Sequence, residues 1–446
     1  MELKGKKILI VGFGRSGAAA ARYCLGQGAK VTVTDTRTEE SFDISALASM
    51  SESWQAHELA LLRTFFGGNP AHLFEEADII VPSPGVPLEL EGIRRARAKK
   101  IPIVGEMELV LDKIKAPIIA ITGTNGKSTV TTIIGEILKD AGKDVLVGGN
   151  LGTPLIELLE GEAGSERQEA GKTDFVVLEV SSYQLEISPN FHPQVALLLN
   201  ITPDHLDRYN SMEDYIKAKA LIDKNLTEKD VLIYNGSDEL VAKIAAASKA
   251  KKLPFSLKDQ RPFKDIDLNK AIIKGAHNKE NLLAALFAVN ALGIEPKVAQ
   301  RVFEKFKGLP HRNQFVREID GIKFYDDSKG TNVGAVVKSL EGFEGKVVLI
   351  AGGLDKGGSY EPLKQLVKEN VRALILIGAA KEIIAKELGG LTETLMAADM
   401  KDAVVKAFTK AKSGDTVLLS PACASFDMFK DYAHRGNVFC GEVNKL

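Results

Sequence analysis

The sequence has few of the features that mark a secreted or membrane-spanning protein. Among 446 residues there are only three cysteines, Cys24, Cys423 and Cys440, and none of them forms a C-x-x-C pair. This scarcity argues against a disulfide framework or a zinc site and favours free thiols in a reducing compartment. No run of about 18 apolar residues occurs, so no membrane insertion is expected. The apolar segment after the basic N-terminus is too short for a signal peptide, and we therefore predict a cytoplasmic protein.

An excess of charge of one sign is also missing. The 58 Lys and Arg residues nearly balance the 59 Asp and Glu residues. No global field would attract nucleic acid or an anionic membrane, so any anion site must be local. The apolar content of 45% is ordinary for a globular protein. At roughly 150 residues per domain, the length predicts about three domains.

Short β-branched runs alternate with helical patterns along most of the chain. This alternation is typical of βαβ units and mainly parallel sheets, and it predicts an α/β protein. Three strands run into glycine-containing turns, at residues 8–17, 118–129 and 347–353. We interpret each of these three strand-to-turn segments as the beginning of one domain.

The predicted domains span residues 1–105, 106–308 and 309–446. Two polar stretches, 161–173 and 251–270, are interpreted as loops.

The second of these strand-to-turn segments, at residues 118–129, has the character of a phosphate-binding loop. A strand ending at Ile121 leads into Gly123-Thr124-Asn125-Gly126-Lys127-Ser128-Thr129 and then into a helix with one apolar face. Backbone amides at such a helix N-terminus can surround phosphate oxygens, Lys127 adds a positive charge, and a hydroxyl can reach Mg²⁺. The spacing is contracted, because Ile121 stands where the usual motif has its first glycine. The loop predicts a nucleoside triphosphate, and a simple glycine-rich turn is the alternative.

The first strand-to-turn segment, at residues 8–17, carries another pattern that is typical of ligand binding. Gly12-Phe13-Gly14-Arg15-Ser16-Gly17 follows the first strand, and Asp35 ends the next one. By itself this pattern is typical of dinucleotide binding, as in an NAD-dependent dehydrogenase. Because a separate phosphate loop lies further along the chain, we favour a phosphorylated ligand here and the reacting nucleotide on the second loop. A tight turn without ligand is the other alternative.

Polar residues follow two central strands where those strands end. Glu179 closes one strand, and Asn200 closes the next and leads to Asp204, His205 and Asp207. Since strand carboxyl ends line the ligand crevice of open α/β sheets, we expect these groups to face the phosphate loop, where they suit Mg²⁺. A structural histidine and helix-capping aspartates are the alternative.

A capping signal, Ser211-Met212-Glu213-Asp214, predicts a helix that carries Lys219.

Six motifs occur in the order and spacing of one enzyme family. They are Gly123–Thr129, Glu179–Leu185, Asn200–Asp207, His277–Asn281, Leu309–Arg312 and Asp326–Asn332. On these motifs the chain resembles the Mur ligases over essentially its whole length. The Gly12 loop with Asp35-Thr36-Arg37, Ser83–Val86 and Ser420–Asp427 is similar to members that join UDP-N-acetylmuramoyl-L-alanine to D-glutamate.

The resemblance implies an ATP-dependent ligase that forms an amide bond between these two substrates through an acyl phosphate, in the synthesis of peptidoglycan precursors. It implies an N-terminal Rossmann-like domain that binds the UDP-sugar, a central P-loop-type ATPase α/β domain and a C-terminal Rossmann-like domain that binds the amino acid. It also implies ATP, two Mg²⁺ ions and a carbamylated Lys219 as cofactors, and we expect a monomer. Addition of CO₂ would turn a lysine cation into an anionic oxygen ligand for a metal.

The resemblance also assigns roles by position. The implied catalytic residues are Lys127, Glu179, His205, Lys219 and Lys329. The implied ATP-binding residues are Gly123, Thr124, Asn125, Gly126, Lys127, Ser128, Thr129, Asn278, Asn281, His311, Arg312 and Asp327. The implied UDP-sugar contacts are Arg15, Ser16, Asp35, Thr36, Arg37, Gly85, Asn150 and His205. The implied D-glutamate contacts are Lys329, Thr331, Lys356, Ser425, Phe426 and Tyr432. The implied metal ligands are Ser128, Thr129, Glu179, His205 and carbamylated Lys219.

Other functions stay open at this point. Another ligase of the same superfamily, such as an L-lysine- or diaminopimelate-adding enzyme or a folylpolyglutamate synthase, is the nearest alternative. The chain lacks the Asp-Asn-Pro-Arg run expected of the diaminopimelate-adding enzyme. A dehydrogenase would leave Lys127 and Glu179 without a role, and a non-enzymatic nucleotide switch predicts hydrolysis that needs no acceptor.

Overall fold

The protein is built on three separate sheets that follow one another along the chain. The computed structural model describes residues 1–39, 60–150, 152–160, 173–205, 208–259, 263 and 265–446. Each sheet is flanked by helices, so the predicted three-domain α/β architecture is confirmed. The elements given below are those of the described ranges.

The N-terminal sheet has four parallel strands in the order β3-β2-β1-β4. The strands are β1 (Lys7–Val11), β2 (Lys30–Asp35), β3 (Leu62–Phe66) and β4 (Ile79–Pro82). The helices are α1 (Arg15–Gly26), α2 (Ala71–Glu76) and α3 (Glu91–Ala98). Strands β1 and β4 are apolar and almost wholly buried, as expected for a parallel sheet covered on both faces.

The central sheet has six parallel strands in the order β10-β9-β8-β5-β7-β6. The strands are β5 (Ile118–Thr122), β6 (Val145–Gly149), β7 (Phe175–Glu179), β8 (Val195–Leu198), β9 (Val231–Asn235) and β10 (Lys251–Phe255). The helices are α4 (Lys127–Asp140), α5 (Leu155–Glu160), α6 (Ser182–Glu186), α7 (Met212–Ala220), α8 (Glu239–Ala247), α9 (Ala276–Ala291) and α10 (Pro296–Phe303).

The loop predicted over residues 251–270 is wrong at its start, because β10 occupies Lys251–Phe255. Its two lysines and Pro254 obscured the strand pattern. They are tolerated because β10 is an edge strand that pairs with β9 alone. The other predicted loop, 161–173, lies outside the described residues except for its last residue.

The C-terminal sheet has six strands in the order β11-β12-β16-β13-β14-β15. The strands are β11 (Gln314–Ile319), β12 (Ile322–Asp326), β13 (Val347–Gly352), β14 (Val371–Ile377), β15 (Glu393–Met396) and β16 (Thr416–Leu419). The helices are α11 (Val333–Glu341), α12 (Lys364–Asn370), α13 (Lys381–Leu388), α14 (Met400–Lys410) and α15 (Tyr432–Val443). Only the β11–β12 pair is antiparallel among the described strand pairs of this sheet.

The buried cores join the first two sheets and leave the third with cores of its own. One buried cluster contains Ile8 of β1 together with Ile118 of β5 and Met107 of the connecting segment. Two further clusters lie within residues 316–443. The N-terminal and central sheets therefore share apolar packing. No described helix has both the length and the apolar character needed to cross a bilayer.

Helix α15 packs very closely against the loop before β11 and the end of β12. A Cβ atom added to Gly436 would lie 2.2 Å from Nδ1 of His311 and 2.6 Å from Oδ2 of Asp326. These two side chains are themselves paired at 2.6 Å. Glycine at position 436 thus lets the helix approach the segment that carries Arg312 and Asp327.

This close approach predicts opposite effects for two alanine substitutions on the same helix. Gly436→Ala should lower the free energy of unfolding by about 1–3 kcal/mol, because the added methyl group overpacks the site. Gly441→Ala should raise it by about 0.5–1 kcal/mol, because nothing lies within 4 Å of the added Cβ atom. Urea denaturation of both variants provides the comparison, and equal unfolding midpoints would contradict the close packing.

Candidate functional site

A cleft of about 580 Å³ lies between the central and C-terminal sheets. Its walls come from the phosphate loop, the segment after β8, the start of α9, and the loops around β12, β13 and α11. The predicted site residues that line it are Asn125, Gly126, Thr129, His205, Asn278, Asn281, Arg312, Asp327, Lys329, Thr331 and Lys356. The cleft therefore brings together predicted nucleotide and acceptor residues.

The phosphate loop is held in shape by the end of the neighbouring strand. Oδ1 of Asn200 accepts from the backbone N–H of Asn125 at 2.8 Å, and the Asn200 carbonyl accepts from the N–H of Thr124 at 2.9 Å. Gly126 precedes α4 in the left-handed region, with φ 85°, and a Cβ there would lie 2.3 Å from Oδ1 of Asn281. No side chain caps α4, so the amide groups of its first turn are free to meet an anion.

Two lysine ammonium groups converge on one carbonyl oxygen of this loop. Nζ of Lys127 donates to the carbonyl oxygens of Gly123 and Thr124, both at 2.8 Å. Nζ of Lys219 donates to the same Gly123 oxygen at 2.9 Å. Lys219 is only 2% exposed, and α7, which carries it, begins at the predicted Ser211 cap. Burial, reinforced by the charge of Lys127, holds the pKa of Lys219 well below its usual value.

Glu179 is a buried carboxylate at the carboxyl end of β7. Its Oε1 accepts from Nδ2 of Asn150 at 2.6 Å, so Asn150, predicted on the UDP-sugar path, also orients this acid. Burial opposes ionisation of Glu179, but the charge of Lys127 and the hydrogen bonds outweigh it and lower the pKa of the carboxyl. Oε2 is buried and has no hydrogen-bond partner among the described residues.

His205 lies in an aromatic pocket beside the loop. Its ring centre is 5.0 Å from that of Tyr183 and 6.3 Å from that of Tyr215, and its backbone has φ 58°. Burial lowers the pKa of His205 to about 4, since nearby lysines counteract the opposing effect of Asp204. The imidazole is therefore neutral at neutral pH and has a lone pair available for a metal ion.

The donor set fits a hard divalent cation that is held mainly by phosphate oxygens. The unpartnered Oε2 of Glu179 and the hydroxyls of Ser128 and Thr129 are oxygen donors suitable for Mg²⁺, which commonly keeps waters and substrate phosphates in its shell. The neutral imidazole of His205 is a softer nitrogen donor at the same place. In the part of the chain that the structure describes, no three His, Cys, Asp or Glu side chains converge on a point that could hold a metal ion. An all-protein metal cage is thus not formed by those residues.

Polar side chains connect the central and C-terminal sheets across the cleft. Nη2 of Arg312 donates to Oγ of Ser128 at 2.9 Å. Nδ2 of Asn332 donates to Oδ2 of Asp204 at 3.0 Å, and Nζ of Lys356 lies 3.5 Å from Oδ1 of the same carboxylate.

Sequence reasoning assigned no role to Asn332, which lies at the end of a motif that it did identify. The sequence predicted Asp204 to be a metal-site or helix-capping group. In the structure its carboxylate contacts Asn332 and Lys356 of the C-terminal domain.

The acceptor side of the cleft holds a buried acid and a buried lysine. Oδ2 of Asp327 accepts from the hydroxyls of Ser339 and Ser420 at 2.6 and 2.7 Å. Burial raises the pKa of Asp327 to about 6, despite these hydrogen bonds. Nζ of Lys329 lies 3.9 Å from the ring centre of Tyr432, and burial with the nearby charge of Arg312 lowers the pKa of Lys329 to about 8.

Some predicted residues do not line the cleft. His311 is buried against Asp326, and Tyr432 starts α15 behind Lys329. Ser425 is 2% exposed, whereas Phe426 next to it is 70% exposed.

The predicted UDP-sugar residues of the N-terminal domain lie apart from the cleft, at the carboxyl edge of their own sheet. Asp35 accepts from the N–H of Phe13 at 2.7 Å and is paired with Arg37 at 2.8 Å. Although burial opposes ionisation, these contacts lower the pKa of Asp35 to about 2. Arg15 is paired with Glu157 of the central domain at 2.8 Å.

The remaining three residues of this predicted set differ in exposure. Ser16 is half-buried, and Thr36 and Gly85 are exposed.

Three family models match successive parts of the chain. They are the Mur ligase MurD-like N-terminal domain over residues 6–105, the Mur ligase middle domain over 121–282 and the Mur ligase glutamate ligase domain over 311–423. Together they match most of the 446 residues, in the same order as the three sheets.

Curated relatives match over the full length. The chain is 48% identical to the UDP-N-acetylmuramoylalanine–D-glutamate ligase of Geotalea daltonii, covering 100% of this chain and 99% of the relative. It is 46% identical to the enzyme of that name from Geotalea uraniireducens, with the same coverage.

Solved structures share the fold at low sequence identity. MurF from Acinetobacter baumannii matches with a TM-score of 0.60 and 18% identity, covering 99% of this chain and 91% of that one. The UDP-N-acetylmuramate-alanine ligase from Thermotoga maritima matches with a TM-score of 0.58 and 19% identity, covering 99% of both chains. Because the family models and the full-length relatives agree, the chain belongs to the Mur ligase family.

Proposed function

We propose that the protein joins UDP-N-acetylmuramoyl-L-alanine to D-glutamate and consumes ATP in doing so. The observation that carries this proposal is that the phosphate loop faces the Asp327–Asn332 segment, which includes Lys329, across a single cleft. A nucleotide γ-phosphate and an anionic acceptor can therefore meet there. The relatives that bear this activity in their names span the whole chain, which favours this substrate pair over those of other Mur ligases.

The chemistry explains why such a reaction needs ATP. A carboxylate reacts poorly with an amine, because its leaving group would be oxide. Transfer of the γ-phosphoryl group to the L-alanyl carboxylate gives an acyl phosphate with a good leaving group. The amine of D-glutamate then attacks the acyl carbon, and phosphate departs as the amide forms. Most of the protein's contribution is to position the reactants and to stabilise negative charge.

The nucleotide would lie along the central side of the cleft. We assign the phosphates to the amides of Gly123 to Thr129 and to the ammonium of Lys127. Asn278, Asn281 and His311 are proposed for the adenine and ribose end. Arg312 is proposed for the same end, and it also donates to Ser128 of the phosphate loop. Asp327 and Lys329 would reach the phosphates and the acceptor from the C-terminal domain.

Mg²⁺ is the proposed cofactor that accompanies ATP, with two ions in the site. The proposed ligands of these ions are Glu179, His205, Ser128, Thr129 and a carbamylated Lys219. The buried Oε2 of Glu179 supports this assignment, because it has no hydrogen-bond partner among the described residues. When bound, the metal would withdraw charge from the phosphate oxygens.

Carbamylation of Lys219 is supported by the state of its amine. Because burial and Lys127 lower its pKa, Lys219 has a larger neutral fraction than an exposed lysine. The neutral nitrogen can attack CO₂, forming an N–C bond and releasing one proton to leave an anionic carbamate. This step would also replace repulsion between two lysines by attraction.

The two remaining substrates are assigned to opposite sides of the site. For D-glutamate we propose Lys329, Thr331, Lys356, Ser425, Phe426 and Tyr432. For the UDP-sugar we propose Arg15, Ser16, Asp35, Thr36, Arg37, Gly85, Asn150 and His205. We keep 1–105, 106–308 and 309–446 as the proposed domain limits, and propose a cytoplasmic monomer.

The assignment predicts acceptor-dependent release of phosphate from ATP. Release should require UDP-N-acetylmuramoyl-L-alanine and D-glutamate together, because each completes one half of the reaction. The measurement is a matrix of UDP-N-acetylmuramoyl-peptides against L-lysine, diaminopimelate, L-glutamate and D-glutamate. No stimulation by the proposed pair over either member alone would reject the function, and a different active pair would reassign it.

The low pKa of Lys329 predicts an unusual pH dependence. Lys329 is a cation below its pKa of about 8 and becomes neutral above it, so attraction of an anionic acceptor is lost as pH rises. The value of kcat/KM for D-glutamate should fall above pH about 8, although deprotonation of the D-glutamate amine alone would raise it. In Lys329→Arg, where the charge persists, the fall should disappear. A wild-type profile that rises steadily through pH 9 would contradict this role.

A further inference from the structure

The side chain of Arg208 connects the N-terminal and central domains. Its Nη1 donates to the carbonyl oxygen of Val86 at 2.7 Å, and its guanidinium carbon lies 4.1 Å from the ring centre of Tyr183. Its Nη2 lies 3.7 Å from Oε2 of Glu186, and the side chain is 15% exposed. One guanidinium thus forms a hydrogen bond, a cation–π contact and an ion pair in a largely buried position.

On the N-terminal side, Arg208 reaches the loop that lies against the glycine loop. The N–H of Val86 donates to the carbonyl of Ser83 at 2.9 Å, and Oγ of Ser83 donates to the carbonyl of Gly12 at 2.7 Å. A Cβ on Gly12 would lie 2.9 Å from Cγ2 of Val86. Residues 83–86, which include Gly85, therefore form one packed unit with the start of the glycine loop.

On the side of the central domain, Arg208 contacts the segment that carries His205. Its backbone N–H donates to the carbonyl of His205 at 3.0 Å. The Tyr183 ring under its guanidinium also contacts the His205 ring, with 5.0 Å between ring centres. Arg208 therefore contacts residues 83–86 and the segment that carries His205 at the same time.

We infer that Arg208 is a positioning residue that fixes the 83–86 loop relative to the His205 segment and thereby sets the affinity for the UDP-sugar substrate. This inference rests on the proposed function. Arginine suits the role because its planar guanidinium stays charged, can lie on an aromatic ring and can donate in the same plane. Lysine keeps the charge but cannot make all three contacts at once.

Steady-state kinetics of three variants, Arg208→Gln, Arg208→Lys and Arg22→Gln, provide the test. Arg22 also bridges the two domains, through Glu157 and Glu160, but at the α1–α5 contact away from residues 83–86. In Arg208→Gln, KM for UDP-N-acetylmuramoyl-L-alanine should rise about tenfold or more, the size expected for loss of a hydrogen bond from a charged donor. KM for ATP should change less than about twofold, as expected for a substitution that removes no nucleotide contact. Arg208→Lys should give an intermediate KM, and Arg22→Gln should resemble the wild type.

The outcomes separate this inference from the proposed function. If the wild type shows no turnover with the substrate pair, the proposed function fails. If the wild type turns over and Arg208→Gln has unchanged KM values, the positioning role is wrong. Equal rises in KM for both substrates, or a lowered thermal midpoint with unchanged KM values, would mean that Arg208 only stabilises the fold. If Arg208→Gln does not fold, an unchanged KM for the UDP-sugar in Arg208→Lys would overturn the inference.

Discussion

Lys127 and Lys219 both donate to the carbonyl oxygen of Gly123, so two ammonium groups are buried around a single acceptor. Burial lowers the pKa of Lys219, and the charge of Lys127 lowers it further, because two cations in these positions repel each other. Glu179 and Asp204 offset part of this repulsion, as their effects on the pKa of Lys219 indicate. The site is therefore arranged to receive additional negative charge. Nucleotide phosphates, and a carbamate on Lys219, would supply it.

The contacts between domains include shared apolar packing at one boundary and polar side chains at the other. The N-terminal and central sheets share an apolar cluster, whereas described polar side chains of the C-terminal domain cross to the central one. Each of these hydrogen bonds involves a charged group and contributes about 1.5–3 kcal/mol net, so a few of them can be broken at lower cost than a shared apolar core. The Arg312–Ser128 and Asn332–Asp204 contacts are also the ones that bring the acceptor side to the phosphate loop. The same few side chains thus hold the two domains together at the site.

Much of the fold and of the cleft could be predicted from the sequence, because both rest on local patterns. The three strands that run into glycine-containing turns predicted the three sheets, and the Ser211 cap predicted the helix that carries Lys219. Pairings between distant segments could not be predicted, since no periodicity links Asn332 to Asp204 or Arg208 to Val86. Strand β10 was missed because an edge strand tolerates the proline and lysines that usually indicate a loop. Roles assigned by resemblance, such as those of Ser425 and Phe426, stay predictions.

The central proposal is that the buried amine of Lys219 is converted to an anionic carbamate. ¹³C NMR of the protein equilibrated with ¹³C-bicarbonate tests it directly, with Lys217→Arg, an exposed lysine of the same helix, as the matched control. We predict one carbamate resonance in the wild type and in Lys217→Arg, and its loss in Lys219→Arg. A wild-type spectrum without a carbamate signal, or a signal that persists in Lys219→Arg, would contradict the account.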